Sequence, residues 1–400
     1  MQTTLGIFAN KGNQLGEKPQ GETRMSRPLN VLQFICSTGY YGAERWVVAL
    51  ANNADRNVVN IELAVTQEHA NHQLQVSDEF INLDLPSHVI PMTGAFDLRL
   101  IKRLKALIKE RNIDLIHTHG YKSDIIGLLV AKLAGIKCVS TPHGFEMGDD
   151  LKLKLYIGLS CRLFRYFDAV VPLSEQLVED VRGFKVKPEK LKLIENGVDL
   201  KPIDALREQL AQSPISDRAP AIGYIGQLIK RKNVTDLITA FARLKQDHHD
   251  LRLILLGDGD ERSALEAQVA TLGVADAVDF AGYQDEALAW HQRFDVFAMT
   301  SNLEGIPRCL MESMALETPI VAYDISGVDQ LIVDEETGLL APFGDVDKLV
   351  KQCARLLDDK SFADTIADRA FETVNARFSA YRMAREYESL FSDIVGSTRD

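Results

Sequence analysis

The chain has 400 residues, 46% apolar and 26% charged, with a formal net charge of −12. That composition excludes disorder over most of the length and favours two domains over one large core. The acidic balance argues against nucleic acid as the main partner, because a phosphate-tracking surface needs clustered Lys and Arg in excess.

The five cysteines, Cys36, Cys138, Cys161, Cys309 and Cys353, are widely spaced and mostly set in apolar runs. They fit buried free thiols in a reducing compartment, and the lack of a C-x-x-C argues against a zinc ribbon. With no apolar run of about 18 residues and no signal-peptide order, a cytoplasmic protein is expected.

Residues 1–28 carry little periodicity up to Met25 and read as a flexible leader. From residue 29 to 198, β-rich runs alternate with amphipathic stretches: "LNVLQFIC", "AERWVVALANNA", "NIELAVTQ", "LIKRLKALIKERN", "DLIHTH", "KCVSTPHG", "AVVPLS" and "KLKLIENG". Such alternation predicts a parallel sheet covered by helices on both faces. Residues 199–220 hold Pro202, Pro214 and Pro220 and no strand candidate, and read as a linker. A second α/β series occupies 221–375, with "AIGYIG", "LRLILLGDG", "VDFAG", "VFAMTS", "PIVAYD" and "GLLAP" as strands. The last stretch, 376–395, spaces Tyr381, Met383, Tyr387, Leu390, Phe391 and Ile394 for a helix that packs back on the body. The expected fold class is α/β, two doubly wound Rossmann-like domains whose strand ends meet at a cleft, so ligand-binding residues belong in the turns after strands.

Four such turns are candidates. In "STGYYGAER" only Gly39 and Gly42 fit a dinucleotide fingerprint, and the expected acid about 20 residues on is misplaced, so NAD is not expected. "DLIHTHG" puts His117 and His119 on one strand, where an H-x-H can bind metal, but no carboxylate or cysteine nearby completes a set, and cleft-wall or core roles are expected. His143 follows a strand in "VSTPHGFE". The turn after "AIGYIG" brings Lys230, Arg231 and Lys232 before Asn233, which with Asp236 resembles a capping box and could neutralise a diphosphate.

The most informative segment is "FAMTSNLEGIPRCLMESMA". Glu304 and Gly305 lie in a loop, Pro307 suits the first position of a helix, and the amides of 305–309, Pro307 excepted, would line a helix N-terminus fit for an anion. Glu312 could then reach a sugar hydroxyl, which suits a nucleotide-sugar better than a bare phosphate. The D-x-D of Asp258-Gly259-Asp260 reads as a helix cap rather than a metal motif. "LKLKLYIGLSCRLFRYF" is a basic amphipathic stretch that would serve either an anionic membrane surface or ordinary packing with snorkelling cations.

Glu304 and Glu312, followed by "SMALETPIVA" and "ETGLLAP", resemble the E-x7-E region of the retaining family 4 glycosyltransferases, which have the GT-B fold. The resemblance runs from residue 29 to about 393. It implies transfer of a sugar, with retention, from a nucleotide-sugar donor, a UDP-sugar in the first place, to a hydroxyl of a glycan or lipid-linked acceptor of bacterial surface-glycan synthesis. It implies Glu304 on the donor sugar, Glu312 on the ribose, and the backbone of Gly305, Ile306, Pro307, Arg308 and Cys309 on sugar and diphosphate. By the same resemblance Lys232 meets the diphosphate and His143 the sugar near the reacting carbon, with Gly226, Gln227 and Arg231 also in the donor site. Gln227 stands where the family has arginine. Tyr41-Gly42-Ala43-Glu44 resembles the G-G-x-E loop, with Gly42 permitting close approach. No metal and no cofactor beyond the co-substrate is expected, nor any nucleic-acid partner; peripheral association with anionic membrane stays open beside ordinary packing of the basic stretch. A nucleotide-sugar epimerase of the same architecture, or an inactive nucleotide-sugar-binding member, are the competing readings.

Overall fold

The structure, a computed structural model, describes residues 27–396 except 38, 70–72, 93–96, 145–150, 213–214, 216–217 and 285. The expected leader thus lies almost wholly outside the described residues. Arg27, at its end, is already docked, forming a two-pronged pair with Asp114 at 2.8 Å.

The first sheet comprises β1 (Leu29–Ile35), β2 (Val59–Gln67), β3 (Ser87–Pro91), β4 (Leu115–His119), β5 (Lys137–Ser140) and β6 (Ala169–Val170). The second comprises β7 (Ala221–Ile225), β8 (Arg252–Leu256), β9 (Val278–Gly282), β10 (Val296–Met299), β11 (Ile320–Asp324) and β12 (Leu339–Pro342). All paired strands are parallel, in the orders β3-β2-β1-β4-β5-β6 and β12-β11-β10-β7-β8-β9. Renumbered from its own first strand, the second sheet repeats the first, and each order reverses at a single switch point, β1/β4 or β7/β10, where open α/β sheets bind ligands.

Helices α1 (Gly42–Asn53), α2 (Gln75–Asn82), α3 (Leu98–Glu110), α4 (Tyr121–Ala134), α5 (Leu151–Leu163) and α6 (Glu175–Arg182) cover the first sheet; α7 (Leu200–Gln212), α8 (Val234–Leu244), α9 (Arg262–Thr271), α10 (Arg308–Ala315), α11 (Val346–Asp358) and α12 (Lys360–Arg377) belong with the second. In α3 the four-residue spacing of Leu100, Leu104 and Ile108 puts three apolar side chains on one buried face while the lysines stay in water. The stretch between the sheets is largely helical: α7 buries Ile203 in the second core.

The chain crosses between the sheets twice, side by side. Val198 donates to Phe378 O and accepts from Ala380 N, both at 2.8 Å. A Cβ on Gly197 would collide with the backbone of Ser379, so only glycine lets the two crossings lie this close. After the second crossing, α13 (Ala380–Gly396) returns to the first core, where Met383, Tyr387 and Phe391 are buried among β1 and α1 residues. Tyr381, expected on that inner face, is 61% exposed instead.

Candidate active site

At the β7/β10 switch point the two following loops are stitched together. Asn302 N donates to Arg231 O at 3.0 Å, Thr300 Oγ1 donates to Asn233 O at 2.9 Å, and the Arg231 guanidinium donates to Leu303 O at 2.7 Å. Within that frame Glu304, its side chain only 8% exposed, holds Lys232 Nζ at 2.6 Å and Arg231 at 3.3 Å. The basic turn and the acidic loop, read separately from sequence, are one constellation.

Glu312 lies one turn inside α10 and accepts from Arg308 Nε at 2.6 Å. Pro307 is not the first helical residue but the one before it, with extended backbone, so α10 starts at Arg308. The anion-binding idea survives that shift, because Leu310 and Met311 bond Pro307 O while the amides of Gly305, Ile306, Arg308 and Cys309 donate to no protein group among the described residues. Burial pushes the Cys309 thiol up to about 12, so it stays protonated and is no nucleophile at neutral pH. Ile306 O accepts from Asn196 Nδ2 at 3.4 Å, a contact between the two halves.

Two glycines outside the motif support these loops. Gly327, at φ +90°, packs on the backbone of Glu304 and Gly305 so closely that a Cβ would overlap Gly305 O. Gly257, at φ +127°, does the same beneath Gly226 O. Gly226 and Gln227 therefore rest on the "GDGD" turn, and that turn is not a helix cap: Glu261 occupies the N-cap of α9, while Asp258 accepts from Gly259 N and faces Arg262 at 3.6 Å. Asn233 caps nothing with its side chain either. It sits in the left-handed region at φ +48° and donates to Asp236 instead, so the expected capping box is not formed.

The facing half presents different chemistry. Gly42 is the first residue of α1, and a Cβ there would meet open space, so packing does not demand glycine. Glu44 folds back to accept from Tyr41 N at 3.0 Å, which makes it the capping acid of the loop. Tyr40 lies under the Arg45 guanidinium at 5.0 Å and feels the charge of Arg308 from the other half.

His143 is half-buried at the end of β5, its Nε2 3.1 Å from Nδ1 of His119. His119 Nε2 is in turn 2.8 Å from Gln33 Oε1. His117 is buried and bonds Thr141, which meets the hydroxyl of Tyr387 from α13. The H-x-H pair thus serves core and cleft wall, and among the described residues no three His, Cys, Asp or Glu side chains form a metal-ligand set. Desolvation pushes the pKa of all three histidines well down, His143 to about 3, so they are neutral at pH 7.

Two doubly wound sheets of one order, meeting at a charged switch-point loop, define a GT-B glycosyltransferase fold. The family description "Glycosyltransferase Family 4" matches residues 40–202 and "Glycosyl transferases group 1" matches residues 207–373. The chain belongs to these family 4, group 1 glycosyltransferases. It is 27% identical to the N-acetyl-alpha-D-glucosaminyl L-malate synthase of Bacillus anthracis over 75% of this chain and 80% of that one. A Campylobacter jejuni N-acetylgalactosaminyltransferase acting on a diphospho-undecaprenol-linked sugar is 26% identical over 88% and 96%. Among solved structures, Anabaena HepE in complex with UDP superposes with a TM-score of 0.76 at 21% identity, covering 91% of this chain and all of that one.

Proposed function

We propose that this glycosyltransferase moves a sugar, with retention, from a UDP-sugar to a hydroxyl of a glycan or lipid-linked acceptor in surface-polysaccharide synthesis. The observation that carries the donor half is the Lys232–Glu304–Arg231 constellation beside four unpaired amides. Cations and free N–H groups suit a leaving diphosphate, carboxylates suit sugar and ribose hydroxyls, and both are provided at one switch point. Arg231, fixed by Leu303 O, takes over the charge that Gln227 lacks; Gln227 itself is exposed and contributes its carbonyl to Tyr224. With positive charge supplied by side chains, no metal is required in this reading. His143 faces the donor sugar, and the histidine and tyrosine side of the cleft receives the acceptor.

UDP is favoured because solved relatives of this fold hold UDP and, in HepE, UDP-glucose. A lipid-linked acceptor is favoured by the Campylobacter relative and by the surface of the first half. No helix among the described residues is long and apolar enough to cross a membrane, yet α5 leaves Leu155 71% and Leu159 39% exposed beside Lys154 and Arg162. A helix with that mixture can rest on anionic headgroups.

The test is hydrolysis and thermal shift across UDP-, GDP- and ADP-sugars in EDTA, without acceptor. Slow turnover of one UDP-sugar is the expected result; a C-epimerised sugar as product would make the protein an epimerase, and no response to any donor would make it an inactive member.

A further inference from the structure

The histidine contact in the cleft carries more than proximity. Gln33 Oε1 can only accept, so the His119 nitrogen 2.8 Å from it, Nε2, carries the proton. In a neutral ring that leaves Nδ1 as an acceptor. His143 Nε2 lies 3.1 Å from this Nδ1 and must therefore donate to it. The remaining nitrogen of His143, Nδ1, has no partner among the described residues and is not buried. A chain of single-proton contacts thus runs Gln33, His119, His143, and ends on a bare lone pair.

We propose that His119 is a positioning residue that fixes the tautomer of His143, so that His143 offers Nδ1 as a hydrogen-bond acceptor to a hydroxyl of the bound donor sugar. The proposal rests on His143 facing that sugar, as in the function proposed above.

Burial supports the neutral relay. His119 is 4% exposed and Gln33 fully buried, and Trp46 covers both rings, its centroid 5.3 Å from each of His119 and His143. A proton added to either ring would sit in low dielectric with no carboxylate in contact among the described residues, and desolvation pushes both pKa values down. The two rings consequently cannot both donate to each other, and the direction of the relay is set at its buried end. Turning the Gln33 amide over would reverse every proton and make His143 Nδ1 a donor, which a sugar hydroxyl could also use but with opposite preference.

Side-chain nitrogen NMR on the whole, unliganded protein tests this directly. The wild type is expected to show His143 protonated at Nε2 and bare at Nδ1; the opposite tautomer overturns the proposal without any variant. Two substitutions extend the test. His119→Asn keeps an oxygen acceptor where Nδ1 stood, whereas His119→Gln places its amide where Nε2 stood and keeps only the Gln33 contact. His119→Gln should mix the His143 tautomers and lower kcat by about 10- to 100-fold, the usual loss when an orienting partner is removed, with UDP affinity unchanged. His119→Asn should restore the Nε2–H form and most of the rate. Equal rates and equal spectra for the two variants would sink the positioning role. If instead His143→Ala transfers sugar as well as wild type, the reading of His143 fails, while the tautomer measurement still judges the relay.

Discussion

The two halves share a strand order and a switch point, yet the loops they turn to the cleft have opposite character. The second half meets it with Lys232, Arg231 and Arg308 around Glu304 and Glu312; the first meets it with Tyr40, Trp46, His119 and His143, uncharged and stacked. In the function proposed above, the same scaffold grips a charged nucleotide on one side and holds a neutral sugar in place on the other. Topology decides where a ligand sits, and a few loop residues decide what it is.

Removing a cation from the charged side should break the comparison most. Lys232→Ala leaves Glu304 with Arg231 alone, and steady-state kinetics should show kcat/KM for the donor down about 100- to 1000-fold, the usual cost of one preorganised charge at a developing anion. Next comes the scaffold beneath it. Gly327→Ala must displace the Glu304–Gly305 loop or strain a left-handed residue, so donor kcat/KM should fall by about 10-fold or more while circular dichroism shows both domains folded. Gly42→Ala makes the contrast, since its Cβ meets open space: the melting temperature should hold, and any kinetic change then reports contact with ligand.

An effect on stability rather than on the site concerns a buried carboxylate away from the cleft. Asp124, on α4, accepts from Thr118, Ser140 and Ser160 hydroxyls, the last on α5, with no cation in contact among the described residues, and desolvation raises its pKa from 3.8 to about 6. A raised carboxyl pKa means the folded state binds the proton more tightly. Its stabilising contribution is full below pH 3.8 and is lost as pH rises through about 6, a span worth about 3 kcal/mol for roughly two pKa units. The neutral histidines act oppositely, losing stability as pH falls from 6.5 toward 3. Denaturant melts of wild type and Asp124→Asn isolate the first: their difference should shrink against wild type from pH 4 to 6 and be flat above it.

Much of this was legible in the sequence. The alternation of strands and helices gave the second sheet and most of the first, missing its edge strand β3 and counting "KLKLIENG", which forms only a bridge at Leu191; the E-x7-E region with its upstream basic turn gave the charged loops, because those residues follow strands within a few positions. What stayed hidden depends on neighbours far apart in the chain. His119 and His143 meet because β4 and β5 pair in register, Thr118 opposite Ser140; the H-x-H was read for cleft-wall or core roles, without its contact to His143. Gly327 and Gly257 act on loops 22 and 31 positions upstream, through carbonyl contacts that no spacing rule encodes. The misplaced caps at Asn233 and Asp258 are failures of local pattern: Asn233 donates to Asp236, whose carboxylate also accepts from Tyr323 of β11, and Asp258 turns to Gly259 N and to Arg262 four residues on.

The division of labour between the two faces can be judged by the rise in melting temperature that saturating UDP produces in wild type, Lys232→Ala and His143→Ala. A ligand at 100 times its Kd stabilises by about 2.7 kcal/mol, enough to read clearly. The account predicts a rise in wild type that persists in His143→Ala and is largely lost in Lys232→Ala; a rise lost in His143→Ala but kept in Lys232→Ala would contradict it.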